Sequence, residues 1–321
     1  LGAALLPADS GGVMDLYSFS VGRDPVKLTN HAGRNDYVGY PSVSPDRARV
    51  LFEARRDGLS TIQVYVMDIG GGDPVRLSDS ERRESFQPEW SPDGSRIVFV
   101  RSVSAYSRSD QEVWVMNADG SDPRMLSDGD SRGPEWSTDG STIAFYRDGE
   151  TWLVPPEGGD RVQITDFEAA PDAWSPDGSL LLVESSMDAE PGGPHDEASD
   201  LWVVSRDGSS VRRLTSAPGR DWAGRWSPDG NRILFNSNRD FDTEIYVVDV
   251  TGANLTRLTD SEGIDGAGRW SKDGAQILFL SQRDGAFAVY VMNADGSDPS
   301  ALAKGDPAVT PVWFAGLDWL G

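Results

Sequence analysis

A tryptophan followed by serine recurs along the chain, and the residue just before it changes charge from copy to copy. It is acidic in two successive copies, Glu89 and Glu135, and basic in two later ones, Arg225 and Arg269. In the other copies it is uncharged, namely Ser42, Ala173 and Val312. Carboxylates facing guanidinium groups form strong charge-assisted hydrogen bonds to polar ligands. We therefore predict that these four side chains bind a polar ligand, the alternative being that they pair with nearby loop charges.

The chain has only two histidines, His31 and His195, and no cysteine. This excludes disulfides, thiolate zinc sites, cysteine nucleophiles and metal sites with three histidines. His195 lies in a long acidic segment, where it is either a general base or lid residue or part of a solvated loop. We retain His195 as a candidate ligand-binding residue, together with Trp222, whose ring suits sugar stacking or protein contacts.

Oxygen ligands for a hard cation occur in the segment Asp240–Glu244, so bound Ca²⁺ remains an open alternative to the absence of any cofactor. The acidic residue two positions before a repeated aromatic favours a structural role, because it recurs throughout the chain at Asp15, Glu112, Glu150, Asp200 and Glu244. We predict that it pairs with an arginine of the preceding loop, such as Arg147 or Arg239, or that it caps N–H groups of a loop.

The string Trp-Ser-x-Asp-Gly sets the period that positions these residues. It stands at 90–94, 136–140, 174–178, 226–230 and 270–274, with a decayed copy at 43–47 and a last partial copy in which Trp313 takes the tryptophan's place. The mean spacing from position 43 is about 45 residues. Each copy reads as four short strands, a to d, and four antiparallel strands per 40–50 residues predict a β-propeller blade.

Seven copies of strand c are present, with aromatic residues at Tyr17, Tyr65, Trp114, Trp152, Trp202, Tyr246 and Tyr290. The N-terminal segment aligns with strands b and c, so strand a of that blade must come from elsewhere, and the segment 310–314 supplies it. We predict an all-β, seven-bladed propeller over residues 1–321 as one domain. Pairing of the N- and C-terminal strands would close the ring and remove both free sheet edges.

Charge narrows the choice of partners. There are 52 acidic and 29 basic residues, a net charge of −23, which disfavours binding to nucleic acids and anionic membranes. No run of about 18 apolar residues exists, so we predict no membrane insertion. Only three lysines occur, which suits an extracellular or salt-rich setting, or reflects a GC-rich genome. The chain starts at Leu1, so we expect that a presequence was removed.

The repeat Trp-Ser-Pro-Asp-Gly, followed by an Arg-Asp-Gly-like loop, a strand of the type Glu-Ile-Tyr-Val and a closing Arg-Leu-Thr, resembles the TolB-type, WD-like β-propeller repeat. That resemblance implies a periplasmic binding protein, a propeller domain of a peptidase, or a polysaccharide lyase. We expect a non-catalytic scaffold, exported to the periplasm or cell exterior. It would bind a protein partner or a glycan or other polar ligand at the face formed by the b–c and d–a loops.

Two alternatives remain open at this point. One is a carbohydrate-active lyase that uses His31 or His195 with a nearby tyrosine or arginine. The other is a structural subunit of a larger assembly; otherwise we expect a monomer.

Overall fold

The repeated Ser-x-Asp-Gly segment folds as a tight turn that joins strands a and b. The Ser91 hydroxyl donates to Asp93 Oδ1 (2.6 Å) and accepts the backbone N–H of Arg96 (2.9 Å). Gly94 takes the left-handed conformation that the turn requires, with φ +69°. The same bonds recur after the tryptophan of blades 4 to 7, so each residue of the motif has a local structural reason.

The computed structural model describes residues 3–9, 14–20, 22–30, 37–56, 58–79, 82–103, 109–186, 198–302, 310–311 and 318–319. Blade 1 is made from both ends of the chain: β1 (Ala3–Asp9), β2 (Met14–Ser20), β3 (Val26–Lys27), β28 (Thr310–Pro311) and β29 (Asp318–Trp319). Blade 2 contains β4 (Tyr37–Val43), β5 (Arg49–Arg55), β6 (Gln63–Asp68) and β7 (Val75–Arg76). Blade 3 contains β8 (Glu84–Trp90), β9 (Arg96–Ser102), β10 (Glu112–Asn117) and β11 (Arg124–Ser127).

The next four blades repeat this order. Blade 4 has β12 (Ser131–Trp136), β13 (Ile143–Arg147), β14 (Glu150–Val154) and β15 (Val162–Gln163). Blade 5 has β16 (Ala170–Trp174), β17 (Leu180–Ser185), β18 (Asp200–Ser205) and β19 (Val211–Arg213). Blade 6 has β20 (Asp221–Trp226), β21 (Arg232–Asp240), β22 (Asp242–Asp249) and β23 (Thr256–Arg257). Blade 7 has β24 (Asp265–Trp270), β25 (Gln276–Ser281), β26 (Ala288–Asn293) and β27 (Ser300–Ala301).

All seven sheets are antiparallel in the order a-b-c-d, which confirms the predicted seven-bladed, all-β propeller. The apolar strand residues pack between neighbouring blades, for example Leu51 and Val64 of blade 2 with Phe99 of blade 3. Strands b and c are therefore buried on both faces, as their continuous apolar runs indicate. In blade 6 the segment 237–243, whose sequence predicts a loop between strands b and c, is a hairpin instead, because β21 and β22 extend until only Phe241 separates them.

The ring closes through the termini as predicted, but at a different register. Strand β1 pairs with β28 (Ala8 opposite Pro311) and with β29 (Ala4 opposite Trp319). Trp319 thus stands opposite β1 where Trp90 stands opposite β9, so the assignment of Trp313 to this position is wrong. The residue before that tryptophan is Asp318, not Val312. Between its paired ends, Thr310 and Trp319, the final strand a has three residues more than β8 has between Glu84 and Trp90. The spacing of the repeat did not predict these extra residues.

Each strand-a tryptophan links two blades. The indole N–H donates to the backbone carbonyl of the residue that precedes the tryptophan in the previous blade. This bond runs from Trp90 to Ser42, Trp174 to Glu135, Trp226 to Ala173 and Trp270 to Arg225, over 3.1–3.3 Å. The Trp136 indole is the exception, since its buried Nε1 lacks a hydrogen-bond partner among the described residues.

The acidic residue before the strand-c aromatic pairs with a base on strand d. Lys27 contacts Asp15 (2.5 Å), Arg213 contacts Asp200 (2.5 Å) and Arg257 contacts Glu244 (2.9 Å). The loop arginines predicted for this role have other partners: Arg239 pairs with Asp221 (2.7 Å) and Arg147 with Asp128 (3.1 Å). The predicted structural role is correct for these blades. The predicted arginine partners are wrong, whereas the predicted capping of a loop is found in blade 6, where Glu244 Oε1 accepts the backbone N–H of Ser261 (3.3 Å).

Candidate functional site: the central cavity

A β-bulge interrupts strand a in each of blades 2 to 7, just before the tryptophan. In β8 the pairing steps from Phe86 opposite Val100 to Glu89 opposite Val98, so one extra residue is inserted. The bulges of blades 2, 3, 4, 6 and 7 contain a residue with positive φ: Tyr40, Gln87, Gly133, Ala223 and Ala267. Such bulges bend a strand and redirect its side chains. Here they direct the residues before the tryptophans towards the centre of the ring.

The bulges of six blades line one cavity of about 450 Å³. Its lining includes all four charged residues singled out from the sequence, Glu89, Glu135, Arg225 and Arg269. It also includes Tyr40, Pro41, Ser42, Gln87, Pro88, Gly133, Pro134, Asp172 and Ala173. The cavity is thus a mixed-charge site formed by segments that are far apart in the sequence. Ligand binding at these residues stays a prediction.

Glu89 and Glu135 come from adjacent blades, and their carboxyl groups interact electrostatically. Glu89 Oε2 accepts the backbone N–H of Trp136 (3.2 Å), whereas no hydrogen bond or ion pair reaches the Glu135 carboxylate from the described residues. Removal from bulk water raises the pKa of both carboxyls, and the charge of Glu89 raises that of Glu135 further. We expect the pair to retain a proton at neutral pH, because two close carboxylates resist ionising together.

The two arginines are held by the backbone and by a third acid. Arg225 Nη1 donates to the carbonyl of Gly224 (2.7 Å) and lies 3.2 Å from Asp172 Oδ1. Arg269 Nη1 donates to the carbonyl of Gly268 (3.0 Å). Asp172 also accepts the Gly224 N–H (2.6 Å), so it fixes both the blade-6 bulge and its arginine. These contacts orient both guanidinium groups beside the cavity before any ligand arrives.

The bulge of blade 3 is held in place by a buried carboxyl group of blade 2, that of Glu53. Glu53 is 3% exposed; its Oε2 accepts the backbone N–H of Gln87 (2.6 Å) and its Oε1 accepts the Tyr37 hydroxyl (2.9 Å). Burial raises the pKa of Glu53 to about 7, with a smaller contribution from Glu84. Asn236 has the same position in blade 6 and accepts the N–H of Ala267 (3.2 Å). The shape of the cavity therefore depends on polar contacts between blades.

The other predicted site residues fall elsewhere. Trp222 lies on β20, directly before the bulge of blade 6, and is not part of the cavity lining; the Arg220 guanidinium lies 5.3 Å from its ring. His195 and His31 lie outside the described residues. In the Asp240–Glu244 segment, Asp240 accepts the Tyr246 hydroxyl and Glu244 binds Arg257. Across the described ranges no three acidic or histidine side chains converge as a metal site, and Ca²⁺ binding stays a prediction.

Asp172 and Gln87 were missed by the reading of the sequence. Each lies inside a bulge, so neither occupies the position directly before the tryptophan. The sequence carries no signal for Asp172, because the insertion of this residue immediately before Ala173 is visible only in the strand pairing of blade 5.

The model of the TolB beta propeller domain family matches residues 5–152, 96–243 and 239–318. The chain belongs to the TolB β-propeller family. An uncharacterized protein of Agrobacterium fabrum, Atu1656, is 34% identical over 89 residues, which cover 27% of this chain and 28% of that protein. The chain thus spans little more than a quarter of that curated relative in the alignment.

Solved structures resemble this TolB-family chain at the level of fold. A putative TolB from Agrobacterium tumefaciens superposes with a TM-score of 0.54 at 23% identity, covering 77% of this chain and 94% of that one. An oligogalacturonate lyase in complex with manganese superposes with a TM-score of 0.65 at 15% identity, covering 95% and 85%. Within the described ranges the TolB-family chain has no helix long and apolar enough to cross a membrane.

Proposed function

We propose that the protein is a non-catalytic binding propeller, exported to the periplasm or cell exterior, that takes a polar ligand or a partner's polar side chain into the central cavity. The observation that carries this proposal is the cavity itself. Six bulges give it oriented charges of both signs, and no hydrogen bond from the described residues reaches the Glu135 carboxyl group. A ligand with a cationic group would displace the proton that the Glu89–Glu135 pair retains, and its acceptor groups would meet Arg269.

The structural design favours binding over catalysis. The charged groups stand on rigid strands and are fixed by backbone contacts, which lowers the entropic cost of capturing a ligand. The described cavity residues contain no serine, histidine and acid joined to one another by hydrogen bonds. Hydrolases use that arrangement for nucleophilic attack. Membership of the TolB family and the net charge of −23 support export and a partner other than nucleic acid.

The test is a thermal-shift screen of defined amines, zwitterionic peptides and uronic oligosaccharides, followed by calorimetry of the hits. Each hit is compared in Glu135→Gln, Arg269→Gln and the control Arg96→Gln, which changes an exposed pair with Glu157 at the turn face. We expect at least a 10-fold loss of affinity in both cavity variants and none in the control. Unchanged affinity in the cavity variants would refute the proposal.

A second candidate is a polyuronate lyase, favoured by the superposition on oligogalacturonate lyase over most of both chains. Its residues would be His31 or His195 with a neighbouring tyrosine or arginine. Incubation with oligogalacturonates, followed by ultraviolet absorbance of the unsaturated products, separates the two functions. Product formation that is lost in His195→Ala or His31→Ala would replace the binding proposal.

A further inference from the structure

A second contact recurs among the described residues: in five blades an arginine side chain lies over the aromatic ring of strand c. Guanidinium groups are attracted to aromatic faces, and their planar shape allows stacking. Five such pairs occur, with the guanidinium carbon at these distances from the ring centre: Arg56 on Tyr65 (5.7 Å), Arg101 on Trp114 (4.4 Å), Arg213 on Trp202 (5.6 Å), Arg239 on Tyr246 (4.8 Å) and Arg283 on Tyr290 (4.8 Å).

In blade 5 one arginine on strand d makes three kinds of contact. Arg213 stands opposite Trp202 in the sheet, and its Nη2 lies 2.5 Å from Asp200 Oδ2. Its Nε donates to the carbonyl of Thr215 (2.7 Å). The same guanidinium therefore covers a ring, neutralises a carboxylate and completes a backbone hydrogen bond.

Blade 4 retains the ring and the carboxylate but lacks the arginine. Trp152 stands opposite Gln163, whose Nε2 donates to the carbonyl of Thr165 (2.7 Å) and so keeps only the backbone bond. Glu150 precedes Trp152 by two residues, as Asp200 precedes Trp202. Among the residues that the structure describes, no guanidinium covers the Trp152 ring and no donor contacts the Glu150 carboxylate.

The arginines near Trp152 are engaged elsewhere. The b–c hairpin of blade 4 turns at Asp148 and Gly149, so it has no residue corresponding to Arg239. Arg147 Nη1 donates to Ser127 Oγ and Asp128 Oδ1, both at 3.1 Å. Arg161 Nε donates to the carbonyl of Leu126 (3.0 Å). An open groove of about 620 Å³ remains beside Trp152, bounded also by Arg147, Asp148, Gly159, Asp160 and Arg161.

We propose that this groove binds a guanidinium group from outside the chain, namely an arginine side chain of a protein or peptide partner. The group would stack on Trp152, which lines the groove, and pair with Glu150, which lies outside the lining but has the strand position of Asp200; it would thus reproduce what Arg213 does in blade 5. The net charge of −23 attracts a cationic partner and speeds its encounter. A lysine fits less well, because its ammonium cannot stack as a plane. This site is separate from the central cavity, so its test does not depend on the function proposed there.

The test uses the full chain labelled with 5-fluorotryptophan and observed by fluorine NMR, with the Trp152 signal assigned from Trp152→Phe. The probe is N-acetyl-arginine methylamide, and the matched control is N-acetyl-lysine methylamide. We expect a saturable shift of the Trp152 signal with a Kd on the order of 1 mM, the range for a small fragment with few contacts. The lysine probe should bind several-fold more weakly.

Two substitutions exploit the comparison between blades. Gln163→Arg supplies the missing guanidinium from within, and we expect it to weaken probe binding at Trp152 at least 10-fold while the other tryptophan signals keep their positions. Arg213→Gln opens the equivalent place in blade 5, and we expect the arginine probe to produce a second saturable shift at Trp202. Glu150→Gln should weaken binding several-fold without moving the remaining signals.

The proposal is overturned if the arginine probe leaves the Trp152 signal unmoved, or if Gln163→Arg binds the probe as well as the parent chain does. It is also overturned if a neutral oligosaccharide shifts the signal at lower concentration than the arginine probe, since the groove would then be a sugar platform. Equal responses to the arginine and lysine probes would likewise contradict stacking of a planar group.

Discussion

Replacing Glu53 with glutamine should make the stability of the ring less dependent on pH. In the folded protein this carboxyl is almost fully buried and lies between the Gln87 N–H and the Tyr37 hydroxyl. Glutamine has the shape and charge of the protonated acid, so it can accept from Gln87 and donate to Tyr37. The substitution therefore removes the ionisation of residue 53 with little change to its packing.

The magnitude follows from the pKa. A rise from 4.5 to about 7 on folding means that the ionised form costs about 3.4 kcal/mol, at 1.36 kcal/mol for each pH unit. A group with a raised pKa in the folded state stabilises most below its unfolded pKa, and that contribution is lost as pH rises through the folded value. For Glu53 about 2.5 kcal/mol of the loss falls between pH 5 and pH 8.

The assay is reversible urea unfolding of both proteins at pH 5, 6, 7 and 8. We expect the free energy of unfolding of Glu53→Gln to rise relative to the parent chain by about 2.5 kcal/mol across that range. Other buried acids titrate in both proteins and cancel in the difference. A difference that stays constant with pH, or one that falls as pH rises, would refute the argument that burial costs the Glu53 carboxylate more than its two hydrogen bonds return.

Other substitutions test the links between blades and the turns. Trp174→Phe should cost about 1 kcal/mol more of unfolding free energy than Trp136→Phe, because only the Trp174 indole loses a hydrogen bond; equal costs would contradict the inter-blade link. Arg239→Met should lower the free energy of urea unfolding by about 3–5 kcal/mol, because it leaves the buried Asp221 carboxylate without its guanidinium partner. A decrease of less than about 1 kcal/mol would refute this. Asp93→Asn should destabilise at pH 7, with the difference shrinking towards acid because turn hydrogen bonds lower the pKa of Asp93 to about 2; a difference independent of pH between 3 and 7 would count against it.

The number of blades could be predicted because every residue of the repeated motif has a local task. The tryptophan links to the preceding blade, and the serine, aspartate and glycine close the a–b turn, as Ser91, Asp93 and Gly94 do. The motif therefore marks each blade wherever those tasks must be performed. The last blade was misread because strand a of blade 1 is split between β28 and β29, and Trp313 resembles a motif residue that the register assigns to Trp319.

The candidate site could be predicted only in part. Glu89, Glu135, Arg225 and Arg269 were found because they precede the tryptophans, and this position lines the cavity in blades 2 to 7. Asp172 was not found, because its place depends on a one-residue shift inside a bulge that the sequence does not show. Partners of the strand-c acids were also misassigned, because the pairing of strands c and d brings together residues 12 or 13 positions apart.

The bulges explain how one ring can hold its fold while its centre varies. Contacts that fix a bulge come from the neighbouring blade and bind the backbone, as Glu53 binds the Gln87 N–H and Asp172 binds the Gly224 N–H. The residue before the tryptophan contributes its backbone carbonyl to the next indole, which any amino acid supplies. Its side chain takes no part in that link, so Glu135 and Arg225 can carry opposite charges at equivalent positions. Chemistry at the centre of the propeller can change there without disturbing the links between blades.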